Sequence, residues 1–167
     1  MTSAAQTAPL HVDLAECPSG AEAIWLDVAG TRIRAAFWKG GTRGTALIFT
    51  GRTEYIEKYG RVITEFTQRG FSVVSLDWRG QGLSDRLVDD PYRGHVGAFS
   101  DYQKDVDVLL STVQSEGLPP PIAIIAHSMG GCIGLRALME GLPVKGAIFS
   151  APMWGIIISP ALRPLAW

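Results

Sequence analysis

The chain has 167 residues, enough for one domain with a sizeable core. An apolar fraction of 47% against a charged fraction of 19% excludes a disordered chain. A formal net charge of −1, without any basic run or aromatic–basic interleave, leaves no footprint for nucleic acid.

Residues 1–9 are small and polar, and they lack the basic n-region and apolar core of a secretory signal. No stretch reaches the roughly 18 apolar residues of a membrane span. The expectation is a soluble, cytoplasmic protein with a flexible N-terminal segment over 1–20; peripheral contact with the inner membrane stays open. Strands are expected over 23–28 and 31–38, joined by Ala29-Gly30 as a tight hairpin. From Ala46 onward, strands and helices alternate. An apolar run over 46–50 closes at Gly51, and a helix over 58–69 stops at Gly70. A strand over 71–76 opens into a Gly-rich loop over 77–97.

A long helix is expected over 98–116, with Tyr102, Val106, Leu109, Leu110 and Val113 on one face. Ser100 is its candidate N-cap, and Gly117 with the prolines at 119–121 ends it. An apolar strand over 122–126 runs into a helix over 128–139, closed by Gly141, and a further strand follows over 144–149. Such alternation predicts βαβ units and a parallel sheet. The hairpin before it makes the sheet mixed but mostly parallel. The tail over 153–167 is apolar and rich in Pro and Trp, and reads as the start of an element that packs on chain further on. Cys17 and Cys132 are too few for a disulfide framework, and Cys132, inside a helix start of small residues, is expected as a buried thiol.

Chemistry concentrates at Ala126-His127-Ser128-Met129-Gly130-Gly131. A strand enters Ser128 and a helix leaves it. A nucleophile on so sharp a turn needs small residues two positions to either side, and Ala126 and Gly130 provide them. The turn exposes the serine oxygen at a helix N-terminus, which adds backbone donors and a favourable dipole. The competing reading is a Gly-rich βα turn with an incidental serine; a Walker loop is excluded because its Gly-Lys-Ser/Thr end is missing. The second segment is Thr50-Gly51-Arg52-Thr53-Glu54. In a nucleophile-elbow enzyme the oxyanion is held by the N–H after the nucleophile, here Met129, and by one from this earlier loop, for which Arg52 is the candidate. The third is Asp77-Trp78-Arg79-Gly80-Gln81-Gly82-Leu83-Ser84, read as a structural loop in which Asp77 pairs with Arg79 and Gly80 and Gly82 take positive φ.

A serine nucleophile needs a His base oriented by an acid. The histidines are His11, His95 and His127. None follows Ser128, and the only acid after it is Glu140. His127 adjoins the nucleophile, but the turn points its ring elsewhere. With Gly51 and His95 it stays a candidate for the pocket wall. The base and acid are expected beyond residue 167.

Together, these three segments resemble the lysophospholipase and monoacylglycerol-lipase group of α/β-hydrolases, also described as serine aminopeptidase-like, and above all the lysophospholipase L2 type with its Gly-Arg-x-Glu loop. The resemblance covers about residues 24–152. It implies an α/β-hydrolase fold whose N-terminal part is residues 21–152, and a cap that begins within 153–167. It further implies a carboxylic ester hydrolase on lipid-like esters through an acyl-enzyme on Ser128. No metal or cofactor motif is present. Two alternatives stay open: a triad-less binding module and an aminopeptidase. Acyl chain, head group and oligomeric state are undetermined.

Overall fold

The computed structural model describes residues 6–155 together with Ile157 and Ser159. Among the described residues, seven strands make one sheet: β1 (Gln6–Thr7), β2 (Glu22–Val28), β3 (Thr31–Trp38), β4 (Thr45–Phe49), β5 (Ser72–Leu76), β6 (Pro121–His127) and β7 (Gly146–Ser150). Their spatial order is β1-β2-β3-β5-β4-β6-β7. Three helices accompany them among the described residues: α1 (Gly60–Gln68), α2 (Asp101–Ser115) and α3 (Met129–Met139). A 3-10 turn over Ile56–Tyr59 leads into α1. β1, β2, β3 and β5 pair antiparallel, whereas β5, β4, β6 and β7 pair parallel. The mixed sheet expected from the sequence is therefore present.

The β2–β3 hairpin turns through Ala29 and Gly30, at φ 54° and 83°. Two successive positive φ values suit the right-handed twist of the flanking strands. β4 and β5 are buried along their whole length, as expected where helices cover both faces of a parallel sheet. Leu47, Phe49, Leu76 and Ile124 face α2 and α3, where Val106, Leu109, Ile133 and Ala137 meet them. Ile48 and Val73 point to the opposite face and pack on Ile56 and Ile63 beside α1.

Residues 6–20 do not form the free segment expected from the sequence. β1 pairs with β2, Ala8 and Cys17 are buried, and the stretch between them is tied down by the core. Arg34 Nη1 donates to Pro9 O at 3.0 Å, His11 N–H to Glu57 Oε1 at 3.0 Å, and Trp38 Nε1 to Pro18 O at 3.0 Å. Gly60 lets this strap lie against α1: a Cβ there would meet Ala15 O and Glu16 O at 2.5 Å. Beyond the buried Ala8 and Cys17, most of these ties run through the strap's backbone, so its side chains show no strand or helix periodicity that reveals it.

Three smaller corrections concern α2, α3 and β7. Ser100 occupies the N-cap position of α2 but makes no side-chain cap bond; Asp101 Oδ2 accepts the Ala98 N–H at 3.1 Å instead. Cys132 is half-buried; the buried thiol is Cys17, which burial pushes up to about 11. The last strand starts at Gly146, two residues later than expected, and lies at the sheet edge. Of the tail over 153–167, Met153 to Gly155, Ile157 and Ser159 are described, and the remaining residues lie outside the description. No described helix is long and apolar enough to cross a membrane.

Candidate active site

β4, β5 and β6 run parallel, so their C-terminal ends, at Phe49, Leu76 and His127, lie on one side of the sheet. The three segments singled out in the sequence all leave from that side, where open α/β sheets bind ligands.

Ser128 stands between β6 and α3 with φ 50° and ψ −116°, a conformation that a non-glycine residue adopts only when its surroundings impose it. Here the surroundings are backbone: Ser128 N–H donates to Ser150 O at 3.1 Å, and Ser128 O accepts the Met153 N–H at 2.9 Å. The small neighbours have definite reasons. A Cβ on Gly130 would lie 2.3 Å from Phe49 O, and one on Gly131 would lie 2.7 Å from Pro152 Cβ. Ala126 is fully buried, and its Cβ is 3.6 Å from where a Cβ on Gly134 would stand. α3 therefore sits directly on the ends of β4 and β6. Met129 is its first residue, and N–H groups in a first turn have no helical acceptor.

The loop after β4 is organised by Glu54, which is nearly free of solvent contact. Its Oε2 accepts the Gly51 N–H and the Tyr59 hydroxyl, both at 2.5 Å, and its Oε1 accepts from Lys58 Nζ at 2.6 Å. Burial alone would raise the Glu54 carboxyl; the donors from Lys58, Tyr59 and Gly51 outweigh it and hold the group below its ordinary range. Arg52 is exposed, and its N–H has no partner among the described residues. Gly51 is buried against the elbow: a Cβ there would meet Glu54 Oε2 at 2.7 Å and His127 Cδ2 at 3.2 Å.

In the loop after β5, Asp77 and Arg79 do not pair with each other. Asp77 accepts from Arg34 Nε at 2.8 Å, Leu83 N–H at 2.8 Å and Ile56 N–H at 2.9 Å. Arg79 instead reaches Asp105 on α2, at 2.6 Å from Nη2. Both pairs are buried, so each arginine goes where a carboxylate is already enclosed. Burial pushes Asp77 up to about 6, against the pull of Arg34. Gly80 and Gly82 do take positive φ, 74° and 47°. Gly82 is also needed for space, because a Cβ there would lie 2.1 Å from Asp77 Cγ.

His127 turns both ring nitrogens to other partners: Nδ1 is 3.4 Å from Ser150 Oγ, and Nε2 is 3.7 Å from Glu54 Oε1. It bridges the loop after β4 to the end of β7. His95 is exposed, and its carbonyl backs the Gly80 turn rather than lining the space over Ser128. His11 is held by Glu57 through its backbone. Among the described residues, no imidazole is hydrogen-bonded to Ser128 Oγ. Sequence reasoning missed Arg34, Glu57 and Gln81. The Glu54–Lys58 spacing of four residues was legible, but Arg34, Glu57 and Asp77 are separated by tens of residues and only the sheet brings them together.

A family described as serine aminopeptidase, S33, matches residues 40–167. The chain is 43% identical over 116 residues to lysophospholipase L2 of Escherichia coli (strain K12), covering 67% of this chain and 33% of that protein. A phospholipase of Bacillus subtilis (strain 168) is 30% identical over 114 residues, with 67% of this chain and 41% of that protein covered. Among solved structures, a soluble variant of monoglyceride lipase from Saccharomyces cerevisiae, in complex with a substrate analog, superposes with a TM-score of 0.63 at 25% identity, covering 89% of this chain and 48% of that one. Monoacylglycerol lipase of Paleococcus ferrophilus gives 0.63 at 26% identity, covering 80% and 49%. The chain thus spans about a third of the length of the first curated relatives it matches. The match over residues 40–167 takes in the elbow and the loops after β4 and β5, and the chain therefore belongs to the serine aminopeptidase, S33, family of the α/β-hydrolase superfamily.

Proposed function

We propose that the protein is a carboxylic ester hydrolase that acts on lipid-like monoacyl esters through an acyl-enzyme on Ser128. The observation that carries this reading is the Ser128 elbow, with φ 50° between β6 and α3, beside a loop whose Arg52 N–H is unengaged. The lysophospholipase and monoglyceride lipase relatives support the ester and its lipid character.

In this mechanism a base takes the Ser128 Oγ proton as Oγ attacks the ester carbonyl carbon. The carbonyl electron pair moves onto oxygen, which the N–H groups of Arg52 and Met129 receive. Collapse expels the alcohol, which takes up the proton and leaves an acyl ester on Ser128. Water then attacks that ester and gives one proton to the base; the bond between the acyl carbon and Ser128 Oγ breaks, Oγ takes the proton back from the base, and the acid is released. The described residues do not supply the base or its carboxylate partner, so the reading requires both from elsewhere.

The test uses the full-length protein encoded at the source locus, offered a long-chain lysophospholipid and an aminoacyl amide. Hydrolysis of the monoacyl ester is expected. In Ser128→Ala the rate should fall by at least about a thousandfold, with loss of fluorophosphonate labelling and an unchanged fold. Activity on the amide alone would overturn the substrate class, and labelling that persists in Ser128→Ala would overturn the nucleophile.

A further inference from the structure

The loop that would carry the oxyanion donor has an uneven pattern of backbone partners. Gly51 N–H ends on Glu54 Oε2 at 2.5 Å. Thr53 N–H ends on Gln81 Oε1 at 2.7 Å. Ile56 N–H, at the far end, ends on Asp77 Oδ1 at 2.9 Å. All three acceptors are buried side chains, with Glu54 at 6%, Gln81 at 2% and Asp77 at 0% exposure. Between the first two lies Arg52, whose N–H has no partner among the described residues. Thr53 also sits at φ 58°, which a β-branched residue adopts only when held there.

We infer that Glu54 and Gln81 are positioning residues of the oxyanion site: their side chains take the backbone N–H groups on either side of Arg52, and so aim the Arg52 N–H at the substrate oxygen. This rests on the ester-hydrolase reading above. Each clamp is fixed from behind. Tyr59 and Lys58 hold the Glu54 carboxylate. Gln81 belongs to the turn whose Trp78 indole donates to Thr50 O at 2.9 Å, tying the loop after β5 to the loop after β4. Gln81 Nε2 makes no hydrogen bond among the described residues, so replacing the carboxamide removes one accepted bond and no donated one. His127 Nε2, 3.7 Å from Glu54 Oε1, connects the clamp to the residue beside the nucleophile.

The experiment measures the rate and final stoichiometry of fluorophosphonate labelling in the full-length protein, together with kcat and KM on a p-nitrophenyl ester. The phosphoryl oxygen of the probe occupies the oxyanion site, so the rate reports that site without a lipid. Gln81→Met and Glu54→Leu should label to full stoichiometry but about 10- to 100-fold more slowly, with kcat lowered and KM unchanged, while Glu54→Gln, which keeps an acceptor for Gly51, stays within about threefold. Gln81→Asn, which withdraws the carbonyl from Thr53 by one methylene, is the milder companion and should also slow labelling. A wild-type labelling rate in either folded Gln81 variant overturns the inference. So does a loss in both that appears only as fewer labelled sites at an unchanged rate. Labelling of the wild type at Ser128 without hydrolysis of lipid esters would remove the substrate reading and leave this inference standing.

Discussion

Arg34 lies between Glu57 and Asp77 with all three side chains at 1% exposure or less. Its Nη1 and Nη2 reach the two Glu57 oxygens at 2.7 and 2.8 Å. A buried cluster of this kind is weak evidence of net stabilisation, because removing charges from water costs about as much as pairing them returns. Removing one member is different, since it strands the others. Glu57→Gln should therefore destabilise the fold by about 3 kcal/mol at neutral pH. Burial alone would raise the Glu57 carboxyl, but the Arg34 guanidinium outweighs it and holds the group below its ordinary value of 4.5. A depressed folded-state value means the stabilisation is complete above 4.5 and is lost as pH falls through the lower folded value. Melting curves should thus show a gap between wild type and Glu57→Gln at about pH 4.5 and above that closes as the pH falls below it. A gap that persisted unchanged to pH 3 would mean Glu57 does not act as a charged partner. None of these contacts was legible in the sequence, where Arg34 is one arginine in an alternating strand and Glu57 one acid in a short turn.

At the scale of elements, the site depends on how closely α3 approaches the strand ends. The sequence marked Gly130 as the small residue the turn needs and Gly131 as a site of close packing, but not the atoms they meet. The structure names them: Phe49 O and Thr50 O for Gly130, Pro152 for Gly131. The first contact is the more demanding, because a carbonyl at a strand end cannot swing aside as a side chain can. Gly130→Ala should cost about 1–3 kcal/mol and move α3 off the sheet, whereas Gly146→Ala should stay within about 0.5 kcal/mol. Gly146 has an ordinary φ and open space where its Cβ would stand, so it serves as the control. Urea midpoints for the two variants measure the contrast, and equal midpoints would refute it. Helix and strand positions were largely readable because periodicity and Gly/Pro punctuation are local. The N-terminal strap was not, because its polar ties run largely through its backbone to residues far along the chain.

For the whole molecule, the sheet is unevenly protected. β4 and β5 are buried throughout, while β7 at the edge is mostly exposed, Ile148 to 54%. A hydrophobic edge strand with free N–H and C=O groups is a template for pairing. The 167-residue chain made by itself should self-associate at micromolar concentration, and Ile148→Lys should shift it towards monomer in size-exclusion chromatography. Identical elution of the two proteins would remove the edge as the cause.

What the sequence determined by itself is whatever a short window of residues controls. That covers the hairpin at Ala29-Gly30, the alternation of strands and helices, and Ser128 as the residue on a strand-to-helix turn, since these rest on local φ preferences and on apolar period. Tertiary structure decided which charges meet. Asp77 could pair with its neighbour Arg79 on paper, yet it faces Arg34 from the adjacent strand while Arg79 turns to Asp105 on α2. Tertiary structure likewise brought Gln81 to the Thr53 side of Arg52, whereas Glu54 reaches the Gly51 N–H from within the same loop. Burial makes an unpaired charge or N–H costly, so partners are chosen by which groups the folded sheet encloses together, and separation along the chain carries no record of that.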